Sequence, residues 1–226
     1  KLRGKVNVVF KGKTTKLKKG QKIPAGAVLH SKEKSFAVIQ MSDKTKLTLG
    51  PSSSIEVKVL SAKGKPGLIN LLKGQLRSKV KPDKVKKGNK LFIKANMAAL
   101  GVRGTETVIT YNPKNKSFTT GGLTGEVAIS QLKNKNAGIK ELKKTLSKSN
   151  ANLIILPKQY FSSVKLEKDK SFKITKPQKI NSVQYFALLR NPTPNFKNTK
   201  KPLNKYRPIS LPNLPPISDD SVISEA

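Results

Sequence analysis

SFAVIQMSDKTKLTLGPSSSIEVKV, residues 35–59, holds three strand signals and the turns that separate them. Residues 35–41 are apolar and partly β-branched, Ser42-Asp43-Lys44 is a turn signal, and Lys46–Gly50 resumes a strand that stops at Gly50-Pro51. Ile55, Val57 and Val59 then alternate with Glu56 and Lys58, the period-two pattern of a half-buried strand with all three aliphatics on one face. Working outward, the same grammar recurs. KVNVVF (5–10) precedes it, and GLINLL (67–72), QLRSKV (75–80), KLFIKA (90–95), ETVITYN (106–112), SFTTG (117–121) and EVAIS (126–130) follow. Glycine, Asn-Pro and Gly-Gly turns punctuate these segments. Short strands spaced near ten residues apart predict an all-β sandwich, barrel or solenoid. No fixed period is copied along the chain, which argues against a regular repeat array.

One stretch departs from this pattern. In residues 136–148, NAGIKELKKTLSK, Ile139, Leu142 and Leu146 recur at helical spacing and predict a short amphipathic helix lying on the β body. Strands resume at NLIILP (152–157) and SSVKL (162–166), and a second short helix is expected over 180–190. From Arg190 the sequence turns Pro-rich, with prolines at 192, 194, 202, 208, 212, 215 and 216, and reads as a flexible tail. The chain thus divides into an all-β domain at 1–175 and a segment at 176–226 holding the second helix and the tail.

The 226 residues carry a formal net charge of +35, from 42 Lys and 5 Arg against 12 acids. Charge of this kind attracts polyanions. Because it is nearly all lysine, a hydrated point charge, it does not suit the planar bidentate contacts of base reading. The basic clusters are Lys11–Lys22, Lys79–Lys94, Lys133–Lys148 and Lys197–Arg207. Within the second, Lys79, Lys81, Lys84, Lys86, Lys87, Lys90 and Lys94 face one acid, Asp83, and are the candidate contact for an anionic surface. No basic residue follows Arg207, while Asp219, Asp220 and Glu225 close the chain, so this acidic tip is expected to fold back on the basic body.

Sites for chemistry are scarce. The chain has no Cys and one His, which excludes thiol catalysis, disulfides and cysteine zinc sites. His30 lies in the lysine-rich VLHSKEK without the partners of a triad, and the scattered acids have no metal-ligand spacing. Gly12-Lys13-Thr14 imitates the end of a phosphate-binding loop, but position 7 is Asn where that loop needs Gly, so it reads as a hairpin turn. No catalytic residue, metal or cofactor is expected. No run approaches the ~18 apolar residues of a membrane-spanning helix.

The ordered segments resemble the FecR domain, a periplasmic all-β module of bacterial cell-surface signalling regulators. The resemblance rests on KLKKGQKIPAGAVLHSKEKSFAVIQMSDKTKLTLGPSSSIEV (16–57), GLINLLKGQLRSKV (67–80), KANMAALGVRGTETVI (94–109), LTGEVAIS (123–130) and LPKQYFSSV (156–164), the last with Lys158 where glycine is usual. It spans about residues 5–166. Its most recognisable piece is Arg103-Gly104-Thr105, joined by Gly125-Glu126; these are expected to hold the fold. Gly101 and Gly104 bracket Val102-Arg103 and suggest a close backbone approach, where Arg103 would bridge carbonyls or a carboxylate at a strand end.

The resemblance implies a non-catalytic module exported to the periplasm or outer envelope, behind a signal peptide absent from this chain. It also implies a role in cell-surface signalling. The expected fold is a twisted β-sandwich or β-solenoid-like FecR domain with a short inserted helix and a Pro-rich tail. Its partner would be an envelope protein, or an anionic envelope polymer such as lipopolysaccharide or peptidoglycan. The alternative is a non-specific nucleic-acid binder acting through lysine–phosphate contacts.

Overall fold

The structure, a computed structural model, describes residues 1–62, 65–82, 88–147, 153–166 and 172–190. The Pro-rich tail and its acidic tip, beyond residue 190, lie outside the described residues. In chain order the elements are β1 (Leu2–Arg3), β2 (Val6–Phe10), β3 (Lys13–Lys16), β4 (Val28–Ser31), β5 (Phe36–Gln40), β6 (Lys46–Leu49), β7 (Ser54–Val59), β8 (Gly67–Lys79), β9 (Leu91–Ala95), β10 (Ala98–Val102), β11 (Glu106–Asn112), β12 (Ser117–Thr124), β13 (Val127–Gln131), α1 (Ile139–Thr145), β14 (Ile154–Leu156), β15 (Tyr160–Leu166), β16 (Phe172–Ile174), β17 (Gln178–Lys179) and α2 (Ser182–Arg190).

The strands form two sheets that share β8. One runs β3-β2-β4-β7-β8-β9-β10-β13-β14. The other runs β1-β5-β6-β8-β11-β12-β15, with β16 and β17 both on β15. Among the described pairings β8 with β9 is the parallel one and the others are antiparallel.

GLINLL and QLRSKV, expected as two strands, are a single strand that changes sheets. Leu68 to Lys73 pair with β7, and Gly74 to Lys79 pair with β11. Gly74 makes the bend at φ +84°, and a Cβ there would lie 2.7 Å from Ser53 Cα. Ser53 Oγ accepts the Gln75 N–H at 2.8 Å, so the donor freed at the bend stays satisfied and the strand does not end.

Val6, Val8, Leu29, Ile55, Ile69 and Leu71 from one sheet meet Ile39, Leu47, Leu49, Leu76, Ile109 and Phe118 from the other in one buried cluster. Two layers, one of them mixed, with a shared interior define a sandwich. The period-two reading of 55–59 holds at Ile55 and Val57 but fails at Val59, which is 36% exposed. A register shift between Val57 and Val59 inserts a residue and turns Val59 away from the core. The hairpin read at Gly12 is present, with Lys11 and Gly12 at φ 48° and 75° between the paired Phe10 and Lys13.

Each helix covers the outer face of one sheet. Leu142 of α1 and the following Leu146 lie on Leu68, Phe92 and Ala99. Tyr185 and Leu188 of α2, with Ile180, lie on Val108 and Leu123, and the Tyr185 hydroxyl donates to the Leu123 carbonyl at 2.6 Å. The first helix is shorter than its 136–148 span. Asn134 and Asn136 make a turn instead, and Gly138 enters the helix in extended backbone. At α2, Asn181 Oδ1 accepts the Val183 N–H at 2.9 Å and caps the first turn.

Candidate functional site

Two tight turns meet at one end of the first sheet. Arg103, Gly104 and Thr105 link β10 to β11, and Gly125 and Glu126 link β12 to β13. Gly104 and Gly125 both have left-handed backbone, φ +61° and +65°. A Cβ on Gly104 would lie 2.9 Å from Pro82 Cα, and one on Gly125 would lie 2.6 Å from Thr105 Cγ2. Close approach and backbone angle therefore both demand glycine at these two positions. The Thr105 carbonyl accepts the Val80 N–H at 2.9 Å and ties the pair of turns to the end of β8.

The two turns line one side of an open cleft of about 350 Å³. Asn89 and Gly101 extend that side, while Leu146 at the end of α1, Leu153 and Ile155 of β14 make an apolar wall. Ile155 is 41% exposed. Arg103 and Glu126 are both exposed, and neither makes an ion pair or hydrogen bond among the described residues. Thr105 Oγ1 is buried without a hydrogen-bond partner. The sequence motif thus converges in space, but among the described residues Arg103 does not bridge carbonyls or a carboxylate as expected.

The arginine that holds the fold is Arg77 on β8. Its Nε and Nη2 donate to Glu106 Oε1 at 2.7 and 2.6 Å, and its Nη1 donates to the Leu188 carbonyl at 2.7 Å. Arg77 therefore satisfies a carbonyl near the C-terminal end of α2 and pins that helix to the sheet. Lys79 Nζ sits 3.2 Å from Glu106 Oε2. Nothing in the local pattern of QLRSKV marks Arg77, because its partners arrive from β11 and α2.

Among the described residues, the candidate lysines do not form one patch. Lys79 is paired, Lys81 is exposed and Lys90 is half-buried. Lys84, Lys86 and Lys87 lie outside the described residues. Lys94 is only 4% exposed, on the face of β9 beneath the segment that leads into α1. Its Nζ donates to the carbonyls of Lys135 at 2.9 Å and Ala137 at 3.2 Å. Burial holds its amine below the ordinary lysine range, aided by the Lys58 charge and opposed by Glu56 and Glu141. Lys94 is thus a strut inside the protein, because β9 is covered by the core on one face and by α1 on the other.

Lys11, Lys13, Lys16, Lys18, Lys19 and Lys22 are all exposed on the β2–β3 hairpin and the loop after it, and Lys133, Lys135, Lys140, Lys143 and Lys144 are exposed around α1. No acid occurs before Glu33. Among the described residues no three His, Cys, Asp or Glu come together to hold a metal, and His30 is exposed on β4. No described helix is long and apolar enough to cross a membrane.

The FecR protein family model matches residues 27–128, from the edge of β4 into β13. Both turns of the cleft fall within that span. The match is narrower than the 5–166 over which the sequence resembles the family. Two solved structures of a candidate anti-sigma factor from Parabacteroides distasonis are similar, each at 12% identity and TM-score 0.49 over 72% of this chain. This chain spans 64% and 63% of their lengths, less than two thirds. No curated protein matches.

Proposed function

We propose that this protein is a non-catalytic module of the bacterial envelope that works by binding, in the periplasm or at the outer envelope, with a part in cell-surface signalling. The observation that carries this reading is the FecR domain at 27–128. Its partner is an envelope protein, an anionic envelope polymer, or both. The exposed lysines from Lys11 to Lys22 support the polymer contact. They crowd an edge strand, β3, where charge also discourages pairing with another sheet, and they would steer a polyanion to that edge.

Fractionation of cells making the full-length precursor, with mass spectrometry of its N-terminus, tests the location. A processed protein in the periplasm or outer envelope is expected, and crosslinking there identifies the partner. An unprocessed cytoplasmic protein overturns the reading. The +35 charge would then favour the nucleic-acid alternative, which preference for duplex DNA over lipopolysaccharide would establish.

A further inference from the structure

We propose that the cleft between the Arg103–Thr105 and Gly125–Glu126 turns receives the free carboxyl terminus of a partner polypeptide whose last residue is aliphatic. The proposal deepens the reading of the domain as a binding module, and rests on it, by giving one partner a chemistry.

Three features fix that chemistry. First, the polar groups of the cleft are left over by the fold. Arg103, Asn89 and Glu126 have no hydrogen-bond or ion-pair partner among the described residues, and the Thr105 hydroxyl is buried without one. Polar groups around a concavity that the protein itself does not satisfy are what a ligand can satisfy. Second, Arg103 and Glu126 line the same cleft with opposite charge yet do not pair with each other. A ligand suited to both must carry a carboxylate for the guanidinium and N–H donors for the carboxylate close by. A peptide end carries both within one or two residues. A polyanion suits Arg103 but is repelled by Glu126.

Third, the cleft is also lined by Leu146, Leu153 and the 41%-exposed Ile155. It removes one aliphatic side chain from water while the polar side holds the main chain. At about 350 Å³ the cleft lies at the small end of ligand sites, about 300–1,000 Å³. It therefore fits the last residues of an extended chain and not a folded surface. The glycines set the shape of this rim, because a side chain at 125 would push on Thr105 of the other turn and one at 104 would meet Pro82.

The test is an NMR titration of the full chain with pentapeptides ending in leucine, isoleucine or valine, each as the free acid and as the C-terminal amide. Saturable shifts at Gly101, Arg103, Gly104, Gly125 and Glu126 are expected with the free acids. Amidation should weaken binding at least tenfold, and Arg103→Gln should do the same to the free acid. Lys114→Gln removes an equal charge from an exposed site beyond the far end of β11 and should change Kd less than twofold. Three results overturn the proposal: no saturable shift up to millimolar peptide, equal binding of acid and amide, or stronger binding of inorganic polyphosphate at the same residues. Each leaves the fractionation and crosslinking result untouched, so failure here is distinguishable from failure of the envelope reading.

Discussion

Arg77 and Arg103 show how far the surroundings of one residue type set the cost of losing it. The Arg77 guanidinium is nearly buried, as is Glu106, with side-chain exposures of 10% and 8%. Arg77→Ala would leave that carboxylate with Lys79 alone and strip the Leu188 carbonyl of its donor. Breaking a buried pair from one side costs about 3 kcal/mol, and ~2–4 °C of melting temperature follows each kcal/mol in a chain of this size. Calorimetry should therefore show a fall of roughly 6–12 °C. Arg103→Ala, at an exposed and unpaired residue, should stay within about 0.5 kcal/mol of the parent. Equal losses in the two variants would contradict the assignment of roles.

Lys94 supplies a pH-dependent contrast. Its folded-state pKa lies below the ordinary value of 10.5, so the charged amine costs stability in the fold. That cost is fully present below the folded pKa and disappears as pH rises from there to the unfolded value. Many other lysines also titrate in this range, so the comparison must be with Lys94→Met, which lacks this amine. Urea unfolding should show the parent gaining on Lys94→Met as pH rises toward 10.5. A difference that is flat with pH would mean the amine is not penalised where it sits.

At the scale of elements, the sharpest case is Gly74. Its left-handed backbone and the nearness of Ser53 allow no side chain. Gly74→Ala should cost about 1–3 kcal/mol, read as a lower urea midpoint with unchanged slope. The same glycine explains why β8 was legible only as two strands. A Lys73-Gly74 step after the mostly apolar Leu68–Leu72 reads as a turn, and nothing local shows that the chain continues into a second ladder. Other strands were legible wherever period-two alternation met one buried face, as at Ile55 and Val57. β10 was hidden for the opposite reason. Ala98, Ala99, Leu100, Gly101 and Val102 are all buried, because the core covers one side and α1 reaches over the other, so no alternation remains. β1 and β17, at two residues each, carry too little pattern to be read. The cleft was legible as a motif, since both turns sit in the Arg-Gly-Thr and Gly-Glu segments. Its apolar wall was not, because Leu146 and Ile155 arrive from a helix and a strand remote in sequence. Arg77 is unmarked in the sequence for the same reason, its partners coming from β11 and α2.

For the molecule as a whole, the dominant physical fact is charge. Lys11, Lys13, Lys16, Lys18, Lys19 and Lys22 are exposed on the β2–β3 hairpin and the loop after it, and no acid precedes Glu33 in the sequence. Duplex DNA serves as a reference polyanion whatever the natural partner is. Binding to it should weaken steeply with salt, and replacing Lys13, Lys16, Lys18 and Lys19 by Gln should make the log–log slope shallower. The change is at most about 3.6 if all four touch phosphate, at ~0.9 per contact. A slope unchanged by the four replacements would move the polyanion surface elsewhere.

β8 belongs to both layers, and this has a mechanical consequence. Two separate sheets could part like the covers of a book, each keeping its own ladders. Here one continuous strand is stitched into both covers, so opening them must break its pairings with β7 and β9 or with β6 and β11. The amides of β8 should then be among the last to exchange with deuterium, and only through whole-domain unfolding. A receptor that pulls or twists this protein would meet a body that transmits the load from one layer to the other instead of one that peels apart.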